Sequence, residues 1–277
     1  MAEGEDQQEN HRYQKDLPVD RTNFTKAWKL LETYSKIPAD EIDAHVLAVR
    51  NKAFAVFHYP CIGRWRFLDL YITTAPEYPD IITRLQAGET LLDVGCCFGH
   101  ILRQLVVDGA PAKNLAGTDL RPEFVELGYE LFRDKDTLDS QFVTGDALDP
   151  NDKSLTSLDG KFDIIHSASF FHLFGWDDQV KVGERVVRFF KPGAKALLLG
   201  RQSGTREPLS MEAYRERGEK RYQHDPTSLQ RLWDVIGERT GTKWRATGEL
   251  IERGEREGDG DREGPRVVLR FAVFKVG

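Results

Sequence analysis

Three aspartates carry the most chemistry in this chain. Asp93 follows Leu91-Leu92, Asp119 closes Leu115-Ala-Gly-Thr, and Asp146 follows Phe142-Val-Thr-Gly, so each stands at the end of a short apolar run. Such runs read as strands, and ligands of open α/β sheets bind beyond the carboxyl ends of the strands. A carboxylate ending the second strand can accept two hydrogen bonds from ribose hydroxyls. One after the third can accept from an adenine amino group, while the Ala147 amide donates to a ring nitrogen. Asp93 can hold a cationic group, directly or through water. Taken singly, Asp119 and Asp146 could instead cap the helical segments that follow them, Arg121-Pro-Glu and Ala147-Leu-Asp.

The stretch from Asp93 to His100 supplies Gly95, Cys96 and Gly99 to a tight strand-to-helix turn. Such a turn brings bare backbone against an adenosine-type cofactor. It is not the dinucleotide fingerprint: G-x-G-x-x-G has a glycine where Cys97 stands, and the carboxylate of Asp93 meets a pyrophosphate badly. An acid ahead of the first glycine favours an adenosyl group with a cationic end. S-adenosylmethionine has one, in its ammonium and sulfonium groups. In isolation, an ordinary glycine-rich turn looks the same.

A second set of residues suits an acceptor. Tyr59, Arg64, Trp65 and Arg66 combine flat apolar surface with fixed cations, as a small aromatic or terpenoid acid requires. The same aromatics would otherwise cement a cap to the core while the arginines face water. His172 lies just past the fourth strand among Phe170, Phe171, Leu173, Phe174 and Trp176. It reads as a base, as an orienting group, or as a histidine packed among aromatics. Arg201 is a further cation for an acidic acceptor. Cys61, Cys96 and Cys97 form no C-x-x-C pair, which argues against both a metal site and a disulfide framework.

The elements that must position these groups follow from periodicity. Residues 1–20 are polar and acidic and read as a disordered tail. Helical spacing over 23–37 and 40–54 predicts an N-terminal helical cap or substrate lid at 21–86. From 87 to 277 a single domain is expected. Strands fall near 90–94, 115–119, 140–144, 162–167 and 195–199, alternating with helices near 99–108, 122–132 and 180–190. A helix after Thr227-Ser228 and a hairpin of 244–251 with 267–276 complete the domain. The fold class is therefore α/β: a seven-stranded, mostly parallel sheet with an antiparallel C-terminal hairpin. Residues 252–266 hold six acids, four arginines, four glycines and a proline, and read as a surface loop.

The chain has 277 residues and a formal net charge of −6, which gives no general pull toward nucleic acid or anionic membranes. It shows no signal-peptide pattern and no run of about 18 apolar residues. A soluble, cytoplasmic protein is expected, acting on a small molecule, with the aromatic cap available for a homodimer.

This arrangement, from about Leu85 onward, resembles the class I S-adenosylmethionine-dependent methyltransferases, with their Rossmann-like fold. A narrower resemblance rests on Tyr59-Pro-Cys-Ile-Gly-Arg-Trp-Arg-Phe-Leu, Asp93-Val-Gly-Cys-Cys-Phe-Gly, Thr118-Asp-Leu-Arg-Pro-Glu-Phe and Phe170-Phe-His-Leu-Phe. These are similar to fungal natural-product methyltransferases of the austinol and terretonin meroterpenoid pathways. The resemblance implies methyl-ester formation on the carboxyl of a farnesylated orsellinic-acid-type compound, yielding S-adenosylhomocysteine. It also implies Asp119 with Leu120, Asp146 with Ala147, and His166 with Ser167 as cofactor contacts. Cys97 departs from the glycine that many of the wider class carry. The alternative is a phenol or enol O-methyltransferase using His172 as base. An NAD(P)-dependent oxidoreductase, a nucleic-acid base methylase and a non-catalytic adenosyl-binding protein fit less well. The first lacks its glycine fingerprint, and the second meets His166-Ser-Ala-Ser where Asn-Pro-Pro-Tyr is needed. The third would not need intact acids at the strand ends.

Overall fold

A computed structural model describes residues 13–150, 152–252 and 267–276. Its sheet has the strand order β3-β2-β1-β4-β5-β7-β6. The strands are β1 (Leu91–Val94), β2 (Leu115–Asp119), β3 (Gln141–Thr144), β4 (Ile164–Ala168), β5 (Leu197–Ser203), β6 (Trp244–Glu252) and β7 (Val267–Lys275). The first five pair in parallel, while β7 inserts antiparallel between β5 and β6. The expected mixed sheet and its C-terminal hairpin are both present. The tip of the hairpin, within the acidic 252–266 segment, lies outside the described residues apart from Glu252.

The helices are α1 (Thr25–Thr33), α2 (Ile42–Val56), α3 (Pro60–Gly63), α4 (Tyr78–Gln86), α5 (His100–Val107), α6 (Pro122–Phe132), α7 (Trp176–Phe189), α8 (Met211–Glu216) and α9 (Pro226–Thr240). Successive strand residues face opposite sides of the sheet. Leu91, Leu115, Ile164, Leu197 and Leu199 therefore pack with the cap, α5 and α6. Leu92, Ala116, Ile165 and Leu198 pack with α7 and α9. The same alternation assigns Asp93, Asp119, His166 and Arg201 to the cap side, because each lies an even number of residues from those leucines and isoleucines.

The cap differs from its expected form. Between α2 and α4 it is built from short turns: α3 and two 3-10 segments, Arg66–Leu68 and Tyr71–Thr74. Its side chains share one core with the sheet: Phe67 meets Phe98 edge-on at 4.9 Å. The expected disordered tail also needs correction in part. Residues 1–12 lie outside the described residues, whereas the segment from residue 13 folds back onto the cap. Gln14 N–H donates to Gly63 O (2.9 Å). Lys15 O accepts from Arg50 (2.7 Å) and Asp16 O from Trp65 (2.9 Å). Among the described residues no helix is long and apolar enough to cross a membrane.

Candidate active site

The strand-to-helix turn after β1 is held by its neighbours. Gly95, Cys97 and Gly99 all adopt left-handed backbone, at φ of +74°, +51° and +61°. Gly95 N–H and Cys96 N–H both donate to Thr118 O (2.8 and 3.0 Å). Arg103 reaches back from α5 to donate to Phe98 O at 2.8 Å and to Gly99 O at 3.3 Å. A Cβ on Gly95 would sit 2.9 Å from the Phe170 ring, and one on Gly99 would sit 2.6 Å from Arg103 Nη1. Protein packing thus gives these glycines a second reason beside the close cofactor approach that sequence reasoning assigned to them.

Cys96 needs a stronger correction as a cofactor contact. Its N–H is spent on Thr118 O, its carbonyl accepts Gly99 N–H (2.7 Å), and its thiol is buried. Burial pushes the Cys96 and Cys97 thiols well above their ordinary range.

Asp119 is the best-formed acidic position. Oδ2 accepts from Cys97 N–H (2.8 Å) and Oδ1 from Arg121 N–H (3.1 Å). An ionised carboxylate has about four acceptor sites, so each oxygen retains a lone pair for a hydroxyl. Burial pushes its pKa up, and these two N–H groups pull it back. Leu120 beside it is 52% exposed, a flat apolar surface next to a polyol acceptor. On the next strand end, Asp146 Oδ1 accepts from Leu148 N–H (2.9 Å) and Asp146 N–H donates to Asp152 (2.7 Å). Ala147 lies half-buried beside them. Two carboxylates at neighbouring strand ends, an exposed leucine and a turn fastened to Asp119 suit the ribose and base of an adenosyl group. S-adenosylmethionine fits this donor set.

Asp93, His166 and Ser167 do something other than expected. Asp93 is 2% exposed, and its Oδ1 lies 2.7 Å from His166 Nδ1. The two are direct register partners on β1 and β4. His166 Nε2 in turn lies 2.5 Å from the Tyr71 hydroxyl. A carboxylate only accepts, so His166 Nδ1–H donates to Asp93, and the Tyr71 hydroxyl shares the second hydrogen bond with Nε2. Burial pushes the Tyr71 phenol far above its ordinary range. These side chains therefore form a buried strut between cap and sheet, and Asp93 serves that strut instead of standing open at the strand end. Ser167 is 1% exposed, with its hydroxyl 3.5 Å from Val94 O, and it too offers no side chain.

The acceptor set separates into two groups. Trp65 is fully buried in left-handed backbone, with the Arg50 guanidinium 3.9 Å from its ring. It cements the tail and cap, and the expectation that it lines a substrate surface is corrected. Tyr59 packs 6.0 Å from Phe124. Burial and the nearby charge of Asp119 raise its phenol, while the neighbouring Arg121 opposes them. Tyr59 thus stands on the Asp119 rim. Arg64 and Arg66 are half-buried where the cap turns, Arg66 near Cys61. His172 is half-buried on the 3-10 segment Phe171–Leu173, beside Phe170 and Phe174, whose rings meet edge-on at 5.2 Å.

Arg201 lies in β5 opposite Ala168, the last residue of β4, paired with Asp69 at 2.7 Å and centred 3.9 Å from the Tyr71 ring. Sequence reasoning missed Asp69 and Tyr71 altogether. They sit in irregular turns that no periodicity marks, and an acid beside an aromatic is too common to single out. Gln202, the next residue, is 2% exposed with no partner for either amide atom among the described residues.

Comparisons with known proteins bear on this site. Residues 12–68 match the family model of the meroterpenoid methyltransferase N-terminal domain, and 91–193 match that of a methyltransferase domain. The O-methyltransferase atr3 of Stereocaulon alpinum is 44% identical over 255 residues, covering 89% of this chain and 71% of atr3. The Asnovolin E/Chermesin D methyltransferase nvfJ of Aspergillus novofumigatus is 42% identical, covering 82% and 81%. Among solved structures, a putative sarcosine dimethylglycine methyltransferase from Galdieria sulphuraria has a TM-score of 0.50 at 14% identity. It covers 71% of this chain and 80% of its own, and shares the fold.

Proposed function

The chain belongs to the fungal meroterpenoid methyltransferases, and from that premise we propose that it methyl-esterifies the carboxyl group of a prenylated aromatic acid, with S-adenosylmethionine as donor. When bound, the donor supplies a methyl group made electrophilic by its sulfonium. The protein's task is then mainly positioning, which can contribute about 7–11 kcal/mol to the barrier.

Asp119 would accept hydrogen bonds from the ribose hydroxyls, Leu120 would pack on the adenosine, and Asp146 with Ala147 would address the amino group of the base. Tyr59 closes the Asp119 rim from the cap. The Tyr71–His166–Asp93 strut fixes the floor beneath the strand ends. A carboxylic acid near pKa 4 is already ionised at neutral pH, so no group has to remove a proton. His172 then orients the acceptor rather than deprotonating it, and Arg64 and Arg66 line its entry.

The observation that carries the carboxyl reading is Arg201. It stands on the cap side opposite the last residue of β4, and its buried Nε lacks a protein partner among the described residues. The test is turnover of a farnesylated orsellinic acid with isotopically labelled donor. The expected product carries the label in an ester that mild alkali releases. Label that survives alkali as an aryl ether overturns the carboxyl reading in favour of phenol methylation.

A further inference from the structure

An ion pair crosses the seam between cap and sheet. Arg201 Nη2 lies 2.7 Å from Asp69 Oδ2, with side chains 15% and 27% exposed. The pair is neither dry core nor open surface. Asp69 comes from the irregular turn between Leu68 and Tyr71, and Arg201 from β5 two residues past Leu199. The guanidinium is incompletely used: its buried Nε has no partner among the described residues. A guanidinium carries five donors in a planar fork that matches a carboxylate through two parallel hydrogen bonds.

The fork itself is held independently of Asp69. The Tyr71 ring lies under it at 3.9 Å, and the Tyr71 hydroxyl is tied through His166 to Asp93. Removing Asp69 therefore leaves a cation that is still positioned.

We propose that Asp69 stands in for the acceptor's carboxylate: it occupies the Arg201 fork until an acid substrate takes its place. This rests on the reading of the acceptor as an aromatic acid. The exchange is carboxylate for carboxylate, so the half-buried cation remains paired throughout, and the displaced Asp69, 27% exposed, is released toward water. A neutral phenol or amide has no charge with which to replace Asp69, so it leaves the pair closed and its binding does not depend on Asp69. Competition also keeps the acceptor loosely held, which preserves the nucleophilicity that a tight ion pair would blunt. Apparent affinity is lowered by the fraction of molecules in which Asp69 fills the fork.

The test uses the full chain with the substitutions Asp69→Asn, Asp69→Ala and Arg201→Gln. The probes are a farnesylated orsellinic acid as substrate and its carboxamide as competitive inhibitor, and calorimetry with S-adenosylhomocysteine checks that the cofactor rim is intact. Both Asp69 variants are expected to lower KM for the acid by roughly 3- to 10-fold. They should leave inhibition by the carboxamide and binding of S-adenosylhomocysteine unchanged. Arg201→Gln is expected to raise KM for the acid by roughly tenfold or more. If Arg201→Gln raises KM but both Asp69 variants leave it unchanged or higher, Asp69 merely braces the cap: the proposal fails while the acid-acceptor reading stands. If no variant moves KM for an acid that the wild type esterifies, Arg201 is not its docking group and the proposal is overturned. If the wild type turns over only phenols, the acceptor reading falls first and takes the proposal with it.

Discussion

Asp119 answers two demands at once. Its carboxylate fastens the glycine turn through Cys97 N–H and begins the next helix through Arg121 N–H, and each oxygen keeps a further acceptor site. That combination is what a hydroxyl-binding carboxylate needs, so the cap and the proposed ligand contact do not exclude each other. Hydrogen bonds to a charged group are worth about 1.5–3 kcal/mol. Asp119→Asn should therefore weaken S-adenosylhomocysteine binding roughly 10- to 100-fold by calorimetry, with the melting temperature little changed because Asn keeps one acceptor for the turn. Unchanged affinity would remove Asp119 from the cofactor site. His172 is argued from its acceptor's chemistry. If the acceptor arrives ionised, His172→Ala should retain measurable turnover, and a loss beyond about 10³-fold would identify a true base. The three aspartates were legible because an acid ending an apolar strand is a local pattern. The diversion of Asp93 into His166 was not, since their adjacency depends on β1 and β4 lying side by side.

Regular elements were legible to within a few residues, because period-2 and period-3.6 patterns report burial directly. The β2 and α6 spans agree with their expected limits. The stretch from Tyr59 to Thr74 was not legible. It turns through α3 and two 3-10 segments with Trp65 left-handed between them, and backbone of that kind has no repeat to read. Its aromatics point inward or along the seam according to those turns. Local order there depends on long-range anchors, and the cofactor turn shows the same logic. Arg103 on α5 donates to Phe98 O and Gly99 O while making a bidentate pair with Asp134, Nε to Oδ2 and Nη2 to Oδ1, both 2.8 Å. Tyr34 of the cap donates to Asp134 as well (2.8 Å), and that burial and pairing raise its phenol. Both ions are nearly inaccessible, at 1% and 4% side-chain exposure. Asp134→Ala strands a buried guanidinium and should cost about 3–5 kcal/mol in urea unfolding. It should also weaken S-adenosylhomocysteine binding, because the turn loses its brace. A cost below about 1 kcal/mol would mean that water reaches Arg103 after all.

The whole molecule couples cap, cofactor rim and acceptor seam through two cores on opposite faces of one sheet. The face away from the cap holds a buried histidine with a bearing on acid stability. His224 Nε2 lies 3.0 Å from Gln179 Oε1 and Nδ1 lies 3.1 Å from Ser228 Oγ. Burial drives its pKa down to about 4. An unfolded histidine titrates near 6.5, so between those values the unfolded chain binds the proton and the native one does not. Stability is then full above about pH 6.5 and falls as pH drops toward 4, by about 3 kcal/mol over the window. His224→Gln should flatten that part of a melting-temperature profile, and an unchanged slope would assign it to other groups. The cap-side core makes the stronger claim, because it contains Phe67 and Ile72 of the cap together with Leu91, Phe98 and Ile164 of the sheet domain. A cap that merely docked would melt first, whereas one that supplies half of a shared core cannot leave without unfolding the rest. Phe67 is 4% exposed and meets Phe98 across that boundary. Phe67→Ala should cost about 3–5 kcal/mol, and the loss should appear in a single transition followed coincidently by tryptophan fluorescence and far-ultraviolet circular dichroism. Two separated transitions, with the later one unaffected by the substitution, would show that the cap is an independent unit laid over a domain that stands without it.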